Sequence, residues 1–300
     1  MYNREEFRMK KISQEELDNL LDNHELWLKN PSNDKNRLNL ENYDLSFLEI
    51  KNRDLSKALF DKCNMFDMKI QNCDLSYTGL YNSKMNGIMF YVCNLNETKI
   101  YSIDLSEGLF TNCTLTNIKL IDTNLAKAEI RNCKLTNIKL IDTNLSGAEI
   151  RNCKLDNIVA NPFTSFYNLQ CPEEGSFIGF KKAYINITPN NKPIFIPSRG
   201  GNKTNFPILP VIVKLQITED SLRSSSTSRK CRCSKAKVLS ISYLDGTECP
   251  EDTIALSQHD NDFVYKVGEI LEIKDFKKDR WKECATGIHF FITREEAVNY

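Results

Sequence analysis

The chain contains nine prolines, but none of them falls between Pro31 and Pro162, and seven lie between residues 162 and 210. Proline cannot donate a backbone hydrogen bond and is therefore excluded from the interior of a hydrogen-bonded sheet. We expect a continuous hydrogen-bonded stack before Pro162 and a region of different architecture after it.

Two further absences concern the membrane. The chain lacks an apolar run approaching the ~20 residues that a membrane-spanning helix needs. Its first residues, MYNREEFRMKK, lack the apolar segment of a secretory signal. We expect a cytoplasmic protein without membrane contact, and in that reducing compartment the 11 cysteines are expected to be free thiols.

The chain also has no excess of positive or negative charge. Lysine plus arginine total 40, aspartate plus glutamate total 40, and the formal net charge is zero. This balance gives no general electrostatic attraction to nucleic acid or to an anionic membrane. A phosphate-binding loop, a catalytic triad and paired carboxylates are also absent. We therefore predict a protein that is not an enzyme and carries no cofactor.

What the sequence does contain is a repeat. Residues 114–133 and 134–153 differ only at their first residue and at Ala126-Lys127 against Ser146-Gly147. Inside this 20-residue period, every fifth residue is large and apolar. These residues are Leu40, Leu45, Ile50, Leu55, Phe60, Met65, Ile70, Leu75, Leu80, Met85, Phe90, Leu95, Ile100, Leu105, Phe110, Leu115, Leu120, Leu125, Ile130, Leu135, Leu140, Leu145, Ile150 and Leu155. In most repeats a smaller or apolar residue stands two positions earlier, as at Ala58, Cys63, Thr78 and Ile118.

A period of five fits neither an α-helix, with 3.6 residues per turn, nor a strand, with a period of two. It fits a square coil with five residues on each side, so that four sides make the longer 20-residue period. Coils of this kind stack at the inter-strand spacing of ~4.8 Å. The sequence therefore predicts about six coils and a rod roughly 30 Å long.

Local motifs at Tyr43–Ser46, Cys73–Ser76, Ile103–Ser106 and Thr143–Ser146 resemble the pentapeptide-repeat family, whose consensus is A(D/N)LXX. The resemblance implies a right-handed quadrilateral parallel β-helix over residues 37–160. We expect a binding or scaffold role, in which the β-helix is a rigid spacer or docking surface and the C-terminal domain recognises a protein partner. The sequence departs from the family by placing Cys, Thr and Ile where Ala is commonest.

Five cysteines are spaced 20 residues apart and form one inward column: Cys73, Cys93, Cys113, Cys133 and Cys153. They could form a soft-metal ladder or a redox stack, but small buried residues that fill a narrow interior explain them better. Four asparagines form a second column that we place on the outside or at a corner: Asn72, Asn112, Asn132 and Asn152.

Both ends of a solenoid need caps. Residues 1–36 are predicted to supply a helical cap, with a helix over Ser13–Lys29 that opens on a Ser13/Glu16 capping box. His24 in this helix is interpreted as a contact with the first coil rather than a ligand. Residues 161–300 are predicted to form an α+β domain with strands at Ser176–Tyr184, Val211–Ile217, Ala236–Tyr243 and Asp262–Val267. Phe290–Ile292 precede a predicted final helix, Thr293–Tyr300, which Thr293 and Glu296 open as a capping box. The segment Thr188–Pro210, which contains Arg199–Asn202, is predicted to be a mobile loop.

The C-terminal domain holds the candidate site. A basic stretch from Arg223 to Lys237 precedes an acidic one from Asp245 to Asp262. The basic stretch could bind phosphate or nucleic acid, approached through a flexible Ser224–Ser228, but pairing between the two stretches is favoured. If the domain binds a ligand, the candidate residues are Arg229, Lys230, Arg232, Trp281 and His289.

Two other chemistries remain open in this domain. A zinc site could be assembled from Cys231, Cys233, Cys249, Cys284 and His289, but structural zinc sites use C-x2–4-C pairs that are missing here, so no metal is predicted. Cys284 and His289 as nucleophile and base are supported by residue type alone.

The segments Arg229–Arg232 and Gly287–Ala297 resemble an uncharacterised domain that follows pentapeptide repeats in phage-like and bacterial proteins. The resemblance suggests a phage or mobile-element origin, which would place the protein in a host cytoplasm. Some pentapeptide-repeat proteins mimic duplex DNA and act on topoisomerases, which requires an acidic outer face. Charges balance over residues 31–160, which disfavours such mimicry. A C-terminal enzyme acting on a nucleotide or a protein is the other alternative.

Overall fold

The computed structural model describes residues 9–31, 34–186, 208–258, 263–281 and 284–300. The chain divides into two compact units, Met1–Asn168 and Leu169–Tyr300. The first is a stack of short parallel strands preceded by a helix, and the second is built of antiparallel sheets with one short helix. This confirms the predicted fold class, a mainly-β protein with a solenoid, an N-terminal helix and a further α+β part.

Helix α1 (Gln14–Lys29) opens the first unit after the short strand β1 (Lys10–Lys11). Its capping box has the predicted form. The Glu16 backbone N–H donates to Ser13 Oγ over 3.1 Å, and the Ser13 N–H donates back to the Glu16 carboxylate over 2.7 Å. Leu17, Leu21 and Trp27 are buried along one helix face.

A 3-10 turn (Asp34–Asn36) leads into the coils. The coil strands are β2 (Asn39–Glu41), β3 (Tyr43–Asp44), β4 (Glu49–Lys51), β5 (Leu59–Asp61), β6 (Lys69–Gln71), β7 (Gly79–Tyr81), β8 (Met89–Tyr91), β9 (Lys99–Tyr101), β10 (Leu109–Thr111), β11 (Thr114–Thr116), β12 (Lys119–Ile121), β13 (Glu129–Arg131), β14 (Lys134–Ile141), β15 (Glu149–Arg151) and β16 (Lys154–Ala160). Most stack in two parallel sheets, ordered β4-β6-β8-β10-β13-β15 and β2-β5-β7-β9-β12-β14-β11, with β16 beside β14. Paired residues are 20 apart, as Phe110 and Ile130 are.

The solenoid interior follows the predicted register without a slip. Every large apolar residue of the five-residue series from Leu40 to Ile150 is at most 8% exposed, and Leu155 in the last coil is half-buried. Aromatic rings stack within this interior, where the centroids of Phe90 and Phe110 are 5.0 Å apart. The parallel pairing continues to a bridge between Asn144 and Ser165.

The second inward position does more than fill space. Where this position holds cysteine or threonine, the side chain can donate to the carbonyl of the large apolar residue 23 positions earlier, as Thr98 Oγ1 does to Leu75 over 2.9 Å and Cys113 Sγ does to Phe90 over 3.5 Å. The cysteine column is therefore a set of weak donors that connect successive coils. Burial raises the pKa of Cys63 and of Cys73 to about 11, so these two thiols stay protonated near neutral pH.

The residues at the coil corners adopt the left-handed backbone conformation, with positive φ. The four asparagines of the predicted outer column, Asn72, Asn112, Asn132 and Asn152, have φ values of 53°, 57°, 54° and 54°. Asparagine tolerates this conformation better than other non-glycine residues. Amide ladders form along the corners, with Asn72 Nδ2 donating to Asn52 Oδ1 over 2.8 Å. Val92 occupies the same column with φ of 53°.

The second unit contains a six-stranded antiparallel sheet in the order β23-β22-β17-β18-β21-β24 and a three-stranded sheet β19-β20-β25. The strands are β17 (Phe177–Asn186), β18 (Ile208–Ile217), β19 (Arg223–Ser225), β20 (Cys231–Cys233), β21 (Lys235–Tyr243), β22 (Ile254–Leu256), β23 (Val264–Lys266), β24 (Ile270–Glu272) and β25 (Ile288–Phe290). Helix α2 (Arg294–Asn299) ends the chain and is capped by Thr293 with Glu296, as predicted.

One sequence prediction in this unit is wrong at its edge. Ile208 to Pro210 were placed in a loop, but they begin strand β18, where Pro210 is paired with Tyr184. The rest of the predicted mobile loop, including Arg199–Asn202, lies outside the described residues, as does Asp262 at the start of a predicted strand.

Candidate functional site

Arg232 is the best-defined member of the candidate site, and it is an internal residue. It lies in the middle of β20 and is 1% exposed. Its guanidinium lies 5.4 Å from the ring centre of Phe276, and it donates to Ser224 Oγ. It also donates over 2.9, 2.9 and 3.1 Å to the carbonyl oxygens of Lys277, Asp279 and Thr286. Burial lowers the pKa of Arg232, and both terminal nitrogens of its guanidinium donate to acceptors of the fold.

Arg229 and Lys230 precede this strand and are placed differently. Arg229 is on the surface, where its Nε is 2.6 Å from the Glu296 carboxylate. Lys230 is 7% exposed. Its Nζ donates to the Tyr300 hydroxyl over 3.0 Å and lies 3.9 Å from the exposed thiol of Cys284. Of the three basic residues between positions 229 and 232, Arg229 faces solvent and the other two are buried.

Two further basic residues of the stretch, Arg223 and Lys235, also have partners within the unit. Arg223 donates to the carbonyl oxygens of Pro172, Gly175 and Thr218 and lies 5.1 Å from the Phe177 ring centre. Lys235 is paired with Asp220 over 2.7 Å. Charge pairing was expected, but the acids that pair with Lys235 and Arg229 are Asp220 and Glu296 rather than members of the 245–262 stretch.

The serine-rich segment was predicted to be a flexible approach to the basic stretch, and that prediction is wrong. Ser224, Ser225, Ser226 and Thr227 are at most 5% exposed. Ser225 Oγ accepts a hydrogen bond from the Gln170 backbone N–H over 2.9 Å, and the Ser224 hydroxyl is bound to Arg232. The segment is an ordered part of the three-stranded sheet and its turn.

His289 and Trp281 do not form one cluster with all three basic residues. His289 lies half-buried in β25, directly opposite Arg232 in the antiparallel register. Trp281 follows the loop whose carbonyl oxygens accept hydrogen bonds from Arg232. The guanidinium carbon of Arg280 lies 5.0 Å from the centre of the Trp281 ring. Among the residues that the structure describes, no group of three or more His, Cys, Asp and Glu side chains is placed to hold a metal ion.

Sequence reasoning missed a surface feature of the coils. Lys99, Lys119 and Lys139 are stacked in register on neighbouring strands, and all three are exposed. We call them the lysine column. In the described part of the chain, none of the three forms an ion pair or a side-chain hydrogen bond. The sequence signal is the spacing of these lysines by 20 residues, which is weaker than the unbroken five-residue series of inward apolar residues.

Two further columns share this face of the solenoid. Two residues after each lysine stand Tyr101, Ile121 and Ile141, all half-buried, which we call the apolar column. Beyond them, Asp122 accepts from Ser102 Oγ over 2.9 Å and Asp142 accepts from Asn161 over 2.8 Å. These two acids line a groove of about 430 Å³. In the coils of Lys119 and Lys139 the face therefore passes from cationic through apolar to anionic within five residues.

Comparison with protein families agrees with the geometry of the coils. Residues 89–160 match a model described as a pentapeptide repeat region. The coils over these residues form a pentapeptide-repeat region. Residues 167–297, which contain the basic stretch and His289, match a family of unknown function named DUF5758. A comparison with curated proteins found no match.

Solved pentapeptide-repeat structures resemble the chain over about two fifths of its length. The repeat protein Rfr23 from the cyanobacterium Cyanothece 51142 is 18% identical, with 42% of this chain and 86% of that chain covered and a TM-score of 0.22. HetL from Nostoc sp. PCC 7120, a protein involved in heterocyst differentiation regulation, is 13% identical, with 40% and 75% covered and a TM-score of 0.15. QnrB1, a plasmid-mediated fluoroquinolone resistance protein, is 19% identical, with 40% and 80% covered and a TM-score of 0.14.

A further observation concerns the length and composition of the two helices. Within the described residues, neither helix has the length and the apolar content that crossing a bilayer requires.

Proposed function

We propose that this protein is a non-enzymatic binding protein whose pentapeptide-repeat region docks a protein partner on the face that carries the lysine column. The proposal rests on one observation: Lys99, Lys119 and Lys139 are exposed, aligned and unpaired on consecutive coils. The C-terminal unit serves as a second recognition module. A cytoplasmic location and a phage or mobile-element origin remain predictions from the sequence.

The lysine column does not help the coils to fold. Like charges placed directly opposite each other on neighbouring strands are destabilising. Elsewhere the solenoid places acids next to its lysines, as where Lys69 pairs with Glu49 and Lys127 with Glu107 on neighbouring coils. A partner that brings carboxylates to the column would relieve the repulsion on binding.

The neighbouring columns favour a protein over nucleic acid as the partner. The apolar column offers half-buried Tyr and Ile side chains that a protein interface can cover. Asp122 and Asp142 form an anionic edge beyond it. A uniformly negative phosphate backbone would be repelled by that edge, whereas a protein can present both charges and an apolar strip.

The test is a charge reversal on full-length protein. The variant Lys99→Glu/Lys119→Glu/Lys139→Glu should lose proteins that the wild type captures from a lysate of the source organism at low salt. The control, Lys134→Glu/Lys154→Glu, reverses two exposed lysines on the adjacent face, in the coil of Lys139 and in the next coil, and should keep them. Captured proteins should also elute as salt is raised, because exposed charge pairs are screened.

Two results would count against the proposal. One is capture of the same proteins by the triple variant and the wild type. The other is an electrophoretic shift of duplex DNA or RNA that disappears in the triple variant and weakens between two salt concentrations, which would assign the face to nucleic acid.

A further inference from the structure

The face that carries the lysine column places its charges and its apolar side chains in a fixed order along the strand. In β12 and the corner that follows it, exposed Lys119 comes first, half-buried Ile121 second and exposed Asp122 third. The strand β14 and its corner repeat this order one coil later, from Lys139 to Asp142. A positive column and a negative column therefore run side by side along the stack, with apolar side chains between them.

This order makes the face complementary to itself. A two-fold axis that runs along the stack, in front of the apolar column, turns a second copy so that its Asp122 lies opposite Lys119. By the same rotation, Asp142 of the second copy lies opposite Lys139, and each contact occurs twice because a two-fold interface is self-complementary. The residues nearest the axis are then Ile121 and its equivalent in the second copy. A two-fold axis along the strands would instead oppose the two lysine columns, which like-charge repulsion disfavours.

We propose that this face docks a second copy of the same chain, in a side-by-side dimer of solenoids in which the lysine column of each copy meets the anionic edge of the other. The inference rests on the docking face proposed above and names its partner. The second copy brings both features that the face requires of a partner, namely carboxylates for the lysines and an apolar strip for Ile121 and Ile141.

The surface beside the aspartates has room for the lysine ends of the second copy. A groove of about 430 Å³ is lined there by Asp122 and Asp142 together with Ser102. The third lysine of the column, Lys99, stands at the level of Ser102 in its own coil. Its nearest carboxylate across the axis is Asp122 of the second copy, one coil further along the stack at a spacing of ~4.8 Å. All three lysines of the column therefore have an acid of the second copy at their own level or one coil away.

The apolar strip at the axis extends beyond the apolar column. Half-buried Tyr81 is paired with Tyr101 on the neighbouring strand, and the centroids of their rings are 5.6 Å apart. One side of a coil is narrow, however, and interfaces below about 1,200 Å² are typical of weak and transient complexes. We therefore expect a reversible dimer with a dissociation constant on the order of 10 μM at low salt.

The first experiment is sedimentation velocity of the full-length protein over a range of concentrations. The wild type should pass from monomer to dimer as the concentration rises, and about 0.5 M salt should weaken the dimer about tenfold because exposed charge pairs are screened. The control Lys134→Glu/Lys154→Glu, on the adjacent face, should dimerise like the wild type. A wild type that stays monomeric at about ten times the expected dissociation constant would overturn the proposal.

The second experiment reverses one column at a time. The variant Lys119→Glu/Lys139→Glu places carboxylates opposite the aspartates of the second copy. The variant Asp122→Lys/Asp142→Lys places ammonium groups opposite its lysines, and lysine fits this corner because Lys62 occupies the same column with φ of 52°. Each variant alone should dimerise at least about tenfold more weakly than the wild type. An equimolar mixture of the two should recover the dimer, because every facing pair then has opposite charges.

Recovery in the mixture would also show that both variants are folded. A single chain with all four substitutions should dimerise by itself, since its facing pairs are again opposite in charge. A wild type that dimerises while neither the mixture nor this chain does would assign the dimer to another surface and overturn the proposal. A monomeric wild type, together with lysate proteins that the triple lysine variant no longer captures, would reject the second copy but keep the docking face. Failure of both the dimer and the lysine-dependent capture would reject the docking face as well.

Discussion

His24 in helix α1 accepts a hydrogen bond from the backbone N–H of Leu38, with 3.0 Å between Nδ1 and the amide nitrogen. Its Nε2 lies 3.2 Å from the Ser56 carbonyl oxygen, which makes Nε2 the protonated nitrogen. The imidazole is fully buried and connects the capping helix to the first coil. Protonation of Nδ1 would break the contact with Leu38.

This geometry predicts a loss of stability in acid. Burial lowers the pKa of His24 in the folded protein, whereas the unfolded chain titrates near about 6.5. Between these values the unfolded state binds more protons, so the contribution of His24 is fully present above about pH 6.5 and is lost as the pH falls below it. Thermal unfolding followed at several pH values should show the loss in the wild type.

The variant His24→Leu should lack that acid-dependent step. It should also be less stable at neutral pH by about 1–3 kcal/mol, because the Leu38 N–H loses its acceptor. Leu26→Ala, on the exposed side of the same helix, is the control and should keep the wild-type pH profile. An unchanged acid response in His24→Leu would rule out His24 as its source.

Val92→Asn should stabilise the coils. Val92 has φ of 53° and is 53% exposed, so the substitution relieves a strained β-branched residue without uncovering a core. The expected gain is about 1 kcal/mol in the free energy of unfolding. The reverse change in the same column, Asn112→Val, should cost a similar amount, and denaturant unfolding of both variants measures the pair. Equal stability of Val92→Asn and the wild type would refute the argument from the corner conformation.

The register and the interior of the coils could be predicted because each inward position depends on its neighbours five and 20 residues away, which are visible in the sequence. The arrangement of the C-terminal site could not be predicted from the sequence. Arg232 is a charged residue whose partners are carbonyl oxygens 45 to 54 residues later in the chain, and no side-chain pattern marks a carbonyl acceptor.

Cysteine 113 offers a test of the donor role found at the second inward position. Thr98 makes the equivalent contact with a hydroxyl, which is a stronger donor than a thiol. We therefore expect Cys113→Thr to be at least as stable as the wild type. Cys113→Val has nearly the shape of threonine but no donor, and it should be less stable than Cys113→Thr by about 1 kcal/mol. Equal unfolding midpoints for the two variants would show that the cysteines only fill the interior and that their thiols contribute nothing as donors.

Substitution of Arg232 should lower the stability of the protein much more than substitution of Arg229. Arg232→Met leaves three carbonyl oxygens without their charged donor and should destabilise the protein by on the order of 3 kcal/mol. Arg232→Lys should rescue little, because an ammonium cannot reproduce the guanidinium fork. Arg229→Met removes an exposed ion pair and should cost less than about 1 kcal/mol. Comparable losses in calorimetry would mean that Arg232 is less essential to the fold than its contacts indicate.

The two nearly identical coils, residues 114–133 and 134–153, present almost the same side chains to the coil on either side. A third copy placed between them would find its interior contacts and its corner amides already matched. Duplication of one 20-residue segment would therefore lengthen the solenoid by a single step of ~4.8 Å without disturbing its ends. Each such step would add one lysine to the column that contains Lys119 and Lys139, so the valency of that face increases with the number of coils.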